Sequence, residues 1–353
     1  MRDTDHPLRT DLDEILGQTR EDWLGLADAR IFLTGGTGFI GCWLLDSFGW
    51  ARSRLGLRTE LVVLTRDPVA FARREPGLAA LGGLTLVAGD VRDFTFPSGS
   101  FTHVIHAATA ASAKLNVEAP FEMLDTIVGG TRRALEFAAA SGAKVFLHTS
   151  SGGVYGRQPD GMDRIPEDYA GAPDPFDPWS AYGEGKRMAE LAGTLYSQSF
   201  GIQHKVARIF ALVGPRLPLD IHYAMGNFIR DAMAGGPIRI GGDGTPRRSF
   251  MYAGDLTAWL WSILARGSPN RPYNVGSDEA LTIRETADAV NQALGGGLSV
   301  VVERKPMPGQ RGNRYVPSVQ RAESELGLCR KVGLATGIRR TVDWYRRVGL
   351  TNP

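Results

Sequence analysis

Several ingredients are scarce in this chain of 353 residues, and each scarcity excludes something. There are only two cysteines, Cys42 and Cys329. That is too few for a disulfide scaffold and points to reduced thiols in a cytoplasmic protein. Charge of one sign is not in excess: 40 Lys and Arg face 38 Asp and Glu, a formal net charge of +2. So even a balance offers no electrostatic footprint for nucleic acid. No apolar run approaches the roughly 18 residues of a membrane span. The opening MRDTDHPLRTDLDE is polar and acidic, so no signal peptide is expected. The six histidines, His6, His103, His106, His148, His204 and His222, do not combine with cysteine or carboxylate at the spacing of a metal site. His148 reads as a packed strand residue. Repeats and low-complexity tracts are missing too.

Glycine, by contrast, is abundant, with 44 residues, and it recurs where turns meet apolar runs. The length suits two domains or one large α/β unit with an appendage. Residues 1–28 are polar with spaced apolar positions (Leu8, Leu12, Ile15, Leu16, Trp23, Leu24, Leu26), which predicts a short amphipathic helix docked on the rest. From residue 29, runs of about five apolar, β-branched residues alternate with helical stretches. The strands are expected at 30–34, 61–65, 84–88, 103–107, 145–149 and 205–210, with helices such as 120–141 and 181–199 between them. This alternation predicts a doubly wound parallel sheet over 29–214. After Gly214 the pattern turns irregular. Strands at 238–240, 273–275 and 300–303 and helices at 226–234, 253–264 and 283–294 predict a smaller mixed α/β lobe over 215–353, with part of 250–280 returning to the first unit. Trp259 and Trp261 read as core, and Gly295–Gly297 as a helix stop.

The strongest local signal is Thr34-Gly35-Gly36-Thr37-Gly38-Phe39-Ile40-Gly41, between the first strand and a helix. Gly35, Gly38 and Gly41 keep side chains out of a tight turn and let a pyrophosphate approach backbone N–H groups. The helix opening at Phe39 and Ile40 turns its unpaired donors and positive dipole end toward that phosphate. A dinucleotide is therefore expected. At the end of the second strand, the carboxylate that would accept the ribose hydroxyls of NAD is replaced by Thr65, followed by Arg66. A guanidinium there suits a 2′-phosphate, which favours NADP(H). Asp67, slightly late, keeps NAD(H) open. Asp90, followed by Val91, ends the third strand where an adenine amino group would lie. The small Ala107, Ala108 and Thr109 end the fourth and let a cofactor lie close.

Tyr182 and Lys186 are four apart at a helix start and share a face. A phenol titrates near ~10. A neighbouring ammonium and a nicotinamide cation lower that value, so Tyr182 suits proton exchange with a sugar hydroxyl while a hydride moves to or from nicotinamide. Lys186 also suits the ribose hydroxyls. A hydroxyl at the end of the fifth strand, Ser151 first and Ser150 second, suits the reacting oxygen.

TGGTGFIG, GDVRD (89–93), HAAT (106–109), SSGGVYG (150–156), YGEGK (182–186), GGDGTPRRSF (241–250, from Gly241 to Phe250) and YNVGS (273–277) together resemble the extended short-chain dehydrogenase/reductase family of nucleotide-sugar epimerases, dehydratases, decarboxylases and ketoreductases. The resemblance runs from about residue 29 to 327 and leaves the leader as an addition. It implies Ser151, Tyr182 and Lys186 as catalytic residues, with Phe210 beside the cofactor. It also implies a nucleotide-diphosphate sugar held by Ser151, Gly152, Asn227, Arg248 and either Arg311 or Arg314, and a homodimer through a helix pair. Two departures carry weight. Sugar 4,6-dehydratases of this family have an Asp-Glu pair after the catalytic hydroxyl residue, and uronate decarboxylases keep a Glu at the second position. This chain has Gly152 and Gly153, so neither reaction is expected unless a carboxyl comes from elsewhere, such as Glu122 or Asp125. Ala211 stands where many relatives have Asn. What is left is hydride transfer at sugar C4, as a 4-epimerase or a 4-ketoreductase or dehydrogenase. The alternative class, a dinucleotide-binding regulatory protein without chemistry, is disfavoured by retention of all three catalytic residues.

Overall fold

A computed structural model of the chain describes residues 6–109, 113–220, 224–307 and 312–349. Seven parallel strands form its central sheet: β1 (Arg30–Thr34), β2 (Glu60–Thr65), β3 (Leu84–Ala88), β4 (His103–His106), β5 (Val145–Ser151), β6 (Gln203–Ile209) and β7 (Pro272–Val275). Their spatial order is β3-β2-β1-β4-β5-β6-β7. Thr34 at the end of β1 lies beside Leu64 of β2 on one side and His106 of β4 on the other. The strand order reverses at this point, so the helices after β1 and β4 leave toward opposite faces and open a crevice at the carboxyl edge. The fold is the doubly wound α/β class expected from the alternation, with the smaller lobe built after β6. Among the described residues, no helix is long and apolar enough to cross a membrane.

Burial explains the strands. β1 is buried from Ile31 to Thr34 and β5 along its whole length, as a sheet covered on both faces requires. β3 was expected to be equally buried. It is the edge strand, and every one of its residues retains exposure. The helix expected over 120–141 is broken into Pro120–Leu124, one π-helical turn (Asp125–Gly129) and Gly130–Ala140. The adjacent Gly129 and Gly130 weaken the helix there, and the Thr131 hydroxyl bonds back to the Ile127 carbonyl at 2.6 Å.

The leader forms α1 (Arg9–Gly25), which packs on α2 (Phe39–Leu55) and on α7 (Ala253–Arg266). Trp23 lies 4.3 Å from Trp261 between ring centroids. Asp22 accepts bonds from Ser262 and Arg266, each at 2.6 Å. Arg340 of the last helix joins Asp11 and Glu14. Trp259 and Trp261 are fully buried core residues. A small sheet that the sequence pattern did not signal pairs Arg247–Arg248 with Leu281–Thr282 (antiparallel) and with Arg314–Tyr315 (parallel). Two-residue strands carry too little periodicity to be read from sequence.

Candidate active site

The glycine turn occupies the crevice between β1 and β4. Gly35 has φ +74°, and a Cβ there would lie 2.5 Å from the carbonyl of Ala107 and the nitrogen of Ala108. A Cβ on Gly41 would meet the Gly35 oxygen at 2.3 Å, and one on Gly36 would meet Val63 at 2.5 Å. These glycines let the turn pack on β4, on itself and on β2. Gly38 differs. It is exposed, and a Cβ on it would find only the Gly35 oxygen at 3.5 Å. The expectation that a side chain at Gly38 blocks the turn is therefore corrected: the protein itself leaves room there. The restriction at Gly38 comes from whatever approaches the N-terminus of α2, whose first residues, Phe39 and Ile40, follow it. Across the crevice, the Thr34 hydroxyl accepts from the Ala108 N–H at 3.1 Å, and among the described residues the buried Thr109 hydroxyl has no hydrogen-bond partner. A turn open on one side, a helix N-terminus and an orphaned hydroxyl opposite fit the phosphate bridge of a dinucleotide.

At the end of β2, Thr65 is buried and Arg66 exposed. Asp67 caps the N-terminus of α3 (Pro68–Arg74), accepting from the Ala70 N–H at 2.8 Å. That local duty places its carboxylate on α3. Asp90 is clasped by the Arg92 guanidinium at 2.8 and 3.0 Å, which holds its carboxyl below the ordinary range. Val91 packs inside the second core cluster, against Gly130.

Tyr182 and Lys186 lie one turn apart on α5 (Ala181–Phe200), the helix following a turn capped by Asp177. Lys186 is buried, with Nζ donating to the Thr149 carbonyl at 2.9 Å. Burial pushes its ammonium down to about 8. The Tyr182 N–H is held by Asn116 Oδ1 at 3.1 Å, and the Asn116 amide also reaches the Trp179 carbonyl. Ser151 ends β5, and its Oγ accepts from the Gly153 N–H at 3.1 Å. A Cβ on Gly153 would lie 3.4 Å from that Oγ and 3.5 Å from the Tyr182 ring. Ser151, Gly153 and Tyr182 thus share one small volume above Lys186. Ser150 points elsewhere: its hydroxyl binds Glu190 at 2.5 Å, and Glu190 is gripped by Arg208. Strand alternation sends neighbouring hydroxyls to opposite faces.

Gly152 has its own reason. A Cβ there would lie 2.5–2.7 Å from the Phe210 ring. The Phe210 ring is itself packed among Tyr155, Ile165 and Tyr315. The carboxyl sources considered from elsewhere are also misplaced. Asp125 lines an outer groove with Arg132 and Met188, and Glu122 is exposed with its charge felt at Arg92.

On the opposite wall, Arg248 donates to the Arg247 carbonyl at 2.8 Å and to Asn313 Oδ1 at 2.9 Å. Among the described residues it has no carboxylate partner, and burial draws its guanidinium below the ordinary value. A half-buried cation facing only neutral groups suits a diphosphate. Arg314 alternates to the other face of the small sheet and pairs with Asp163. Arg311 lies outside the described residues. Asn227, on α6 (Ala224–Met233), receives a long bond from Arg230 at 3.4 Å. Sequence reasoning missed Tyr315. Its hydroxyl is 3.5 Å from Ser151 Oγ, and its ring is 4.5 Å from Phe210 and 6.0 Å from the Arg248 guanidinium. Asn116 was missed too. Neither lies in a recognisable motif, and both reach the site through contacts distant in the chain.

The family described as NAD dependent epimerase/dehydratase matches residues 31–276. Among curated proteins, the chain is 30% identical over 327 residues to UDP-glucuronic acid decarboxylase 1 of Arabidopsis thaliana, spanning 92% of this chain and 71% of that protein. It is 28% identical over 320 residues to UDP-glucuronic acid decarboxylase 1 of Xenopus tropicalis, spanning 90% and 72%. Among solved structures, UDP-glucose 4-epimerase of Thermus thermophilus in complex with NAD superposes with a TM-score of 0.73 at 30% identity, covering 90% of this chain and 99% of that one. A dTDP-glucose 4,6-dehydratase of Streptomyces venezuelae with NAD bound gives 0.76 at 25% identity, covering 90% and 97%.

Proposed function

Because the chain belongs to the NAD dependent epimerase/dehydratase family, we propose that it exchanges hydride at C4 of a nucleotide-diphosphate sugar, as a 4-epimerase or 4-ketoreductase, with NADP(H) preferred over NAD(H). The observation that carries this reading is the shared volume of Ser151, Tyr182 and a side-chain-free Gly153 above Lys186. When bound, the nicotinamide supplies the hydride acceptor and donor. Tyr182 takes the proton of the C4 hydroxyl or returns it. Ser151 orients the same oxygen by hydrogen bond. Lys186, still largely protonated at neutral pH with its value near 8, favours the Tyr182 phenolate and fits the ribose hydroxyls. Arg248 and Asn227 hold the diphosphate, in a sugar-binding lobe formed mainly by residues after 214.

The curated relatives are named as decarboxylases. In this chain the positions flanking the reacting hydroxyls are Gly152, closed by Phe210, and Gly153, which carries no acid or base. We therefore place the chemistry at C4 with C5 and C6 untouched. The NADP(H) preference rests on Thr65 and Arg66 where a ribose-binding carboxylate was expected, and on the capping duty of Asp67. Met188, Leu191 and Leu195, exposed on one face of α5 with Phe121 nearby in the chain fold, support a homodimer through that helix. The unpaired Cys42 and Cys329 accord with a cytoplasmic setting.

The test is proton NMR of UDP-glucuronate, UDP-glucose and a 4-keto nucleotide sugar incubated with the protein and NADP(H). The expected product is altered only at C4. Loss of the C6 carboxyl as carbon dioxide, or a 4-keto-6-deoxy sugar, overturns the reading.

A further inference from the structure

A side chain from the helix after β2 reaches the glycine turn. Arg74, the last residue of α3, donates from Nη2 to the carbonyl of Thr37 at 2.7 Å, directly before Gly38. The guanidinium thus stands in the gap between the turn and the helix that follows β2. In a doubly wound fold this gap receives the adenosine ribose, because the phosphates sit on the turn and the ribose hangs toward the end of β2. Arg66, at that end, is also exposed, and its charge is felt at Asp90. Among the described residues neither arginine has an ion-pair partner.

Three neighbouring carboxylates are already engaged. Asp67 caps α3. Asp90 is bound by Arg92. Glu75, next to Arg74 in the chain, is turned onto Arg216 at 2.6 Å, and Arg216 is also paired with Asp46. Phe71 lies beneath Arg74, its ring 5.5 Å from the guanidinium carbon, and limits where that side chain can go. With one Nη2 proton on Thr37, the second Nη2 proton and the Nη1 and Nε N–H groups are left for a ligand.

We propose that Arg74, together with Arg66, forms the seat of the 2′-phosphate of NADP(H). Arg74 is then a cofactor-discriminating residue supplied by α3 across the glycine turn. This inference rests on the NADP(H) reading above. It differs from a purely structural tether, in which Arg74 only steadies the turn, because a tether supports both dinucleotides alike.

The probes are 2′,5′-ADP and 5′-AMP, which differ only in the 2′-phosphate, titrated calorimetrically into the full-length protein, with NADPH and NADH binding followed by fluorescence. In the unaltered protein, 2′,5′-ADP is expected to bind at least tenfold more tightly than 5′-AMP. Arg74→Ala is expected to weaken 2′,5′-ADP at least tenfold and 5′-AMP less than twofold, with NADPH and NADH following the same split. An equal loss for both probes makes Arg74 a tether and overturns the inference. So does a preference for 2′,5′-ADP that survives Arg74→Ala but disappears in Arg66→Ala, an outcome that leaves the NADP(H) reading standing. Equal binding of the two probes by the unaltered protein overturns the NADP(H) reading itself, and this inference with it. Unchanged thermal unfolding of Arg74→Ala checks that the variant is folded.

Discussion

Lowering the pH from 7.5 to 5.0 is expected to remove a large part of this protein's stability through three buried imidazoles. His106, His148 and His204 sit on β4, β5 and β6 along one face of the sheet, with ring centroids 5.7 Å and 6.1 Å apart in succession. All three are at most 1% exposed, and among the described residues neither ring nitrogen of His148 has a hydrogen-bond partner. Burial, with the Lys186 charge adding to it at His106 and His148, holds the first at about 3 and the second well below 6.5. Burial brings His204 to about 4. In the unfolded chain each takes a proton below about 6.5. The folded state therefore binds fewer protons than the unfolded one between about pH 6.5 and 4. The stabilisation is complete above that window and falls as pH drops through it. At pH 5.0 each imidazole costs roughly 2 kcal/mol and the three about 6 kcal/mol, against a typical total of about 5–15 kcal/mol. Urea unfolding at the two pH values, followed by tryptophan fluorescence, measures the loss. His148→Leu removes one of these groups and should lessen the pH-dependent loss by about 2 kcal/mol, whatever it does to stability at pH 7.5. An unchanged loss in that variant would refute the argument.

Tyr182→Phe keeps the ring and removes the proton-exchanging oxygen. Turnover should fall at least about a hundredfold while dinucleotide affinity changes little, and near-normal turnover would remove Tyr182 from the chemistry. Lys186, brought to about 8 by burial, should impose a decline in turnover as pH rises past that value; Lys186→Arg should move the decline upward if it retains activity, as read from kcat/KM profiles. Gly35→Ala should destabilise the fold by about 1–3 kcal/mol or more, since its φ is positive and a Cβ would strike Ala107. Gly38→Ala should leave the melting temperature nearly unchanged and weaken dinucleotide binding. Equal melting temperatures for the two variants would contradict the distinction drawn between these glycines.

The parallel sheet was legible because its strands are short, mostly apolar runs separated by helical stretches, and because a buried strand must be apolar on both faces. The glycine turn and the Tyr182-Lys186 pair were legible for a related reason. Each is a local device whose parts lie within eight residues of one another, so spacing along the chain equals geometry in space. Edge position was not legible, and β3 was misjudged for that reason: nothing in LTLVA says that no strand lies beyond it.

By itself, then, the order of residues determined the fold class, the glycine turn between β1 and α2, the one-turn spacing of Tyr182 and Lys186 and the lack of a carboxyl at positions 152 and 153. Only the tertiary structure decided which of two adjacent serines faces Tyr182, that Gly152 is closed by Phe210, that Tyr315 reaches Ser151 and Asn116 the Tyr182 N–H, and that Arg74 arrives at Thr37. Those contacts join segments far apart in the chain. They depend on how strands alternate, how helices rotate onto the sheet and which side chains are already committed to a neighbour, none of which is written in local spacing.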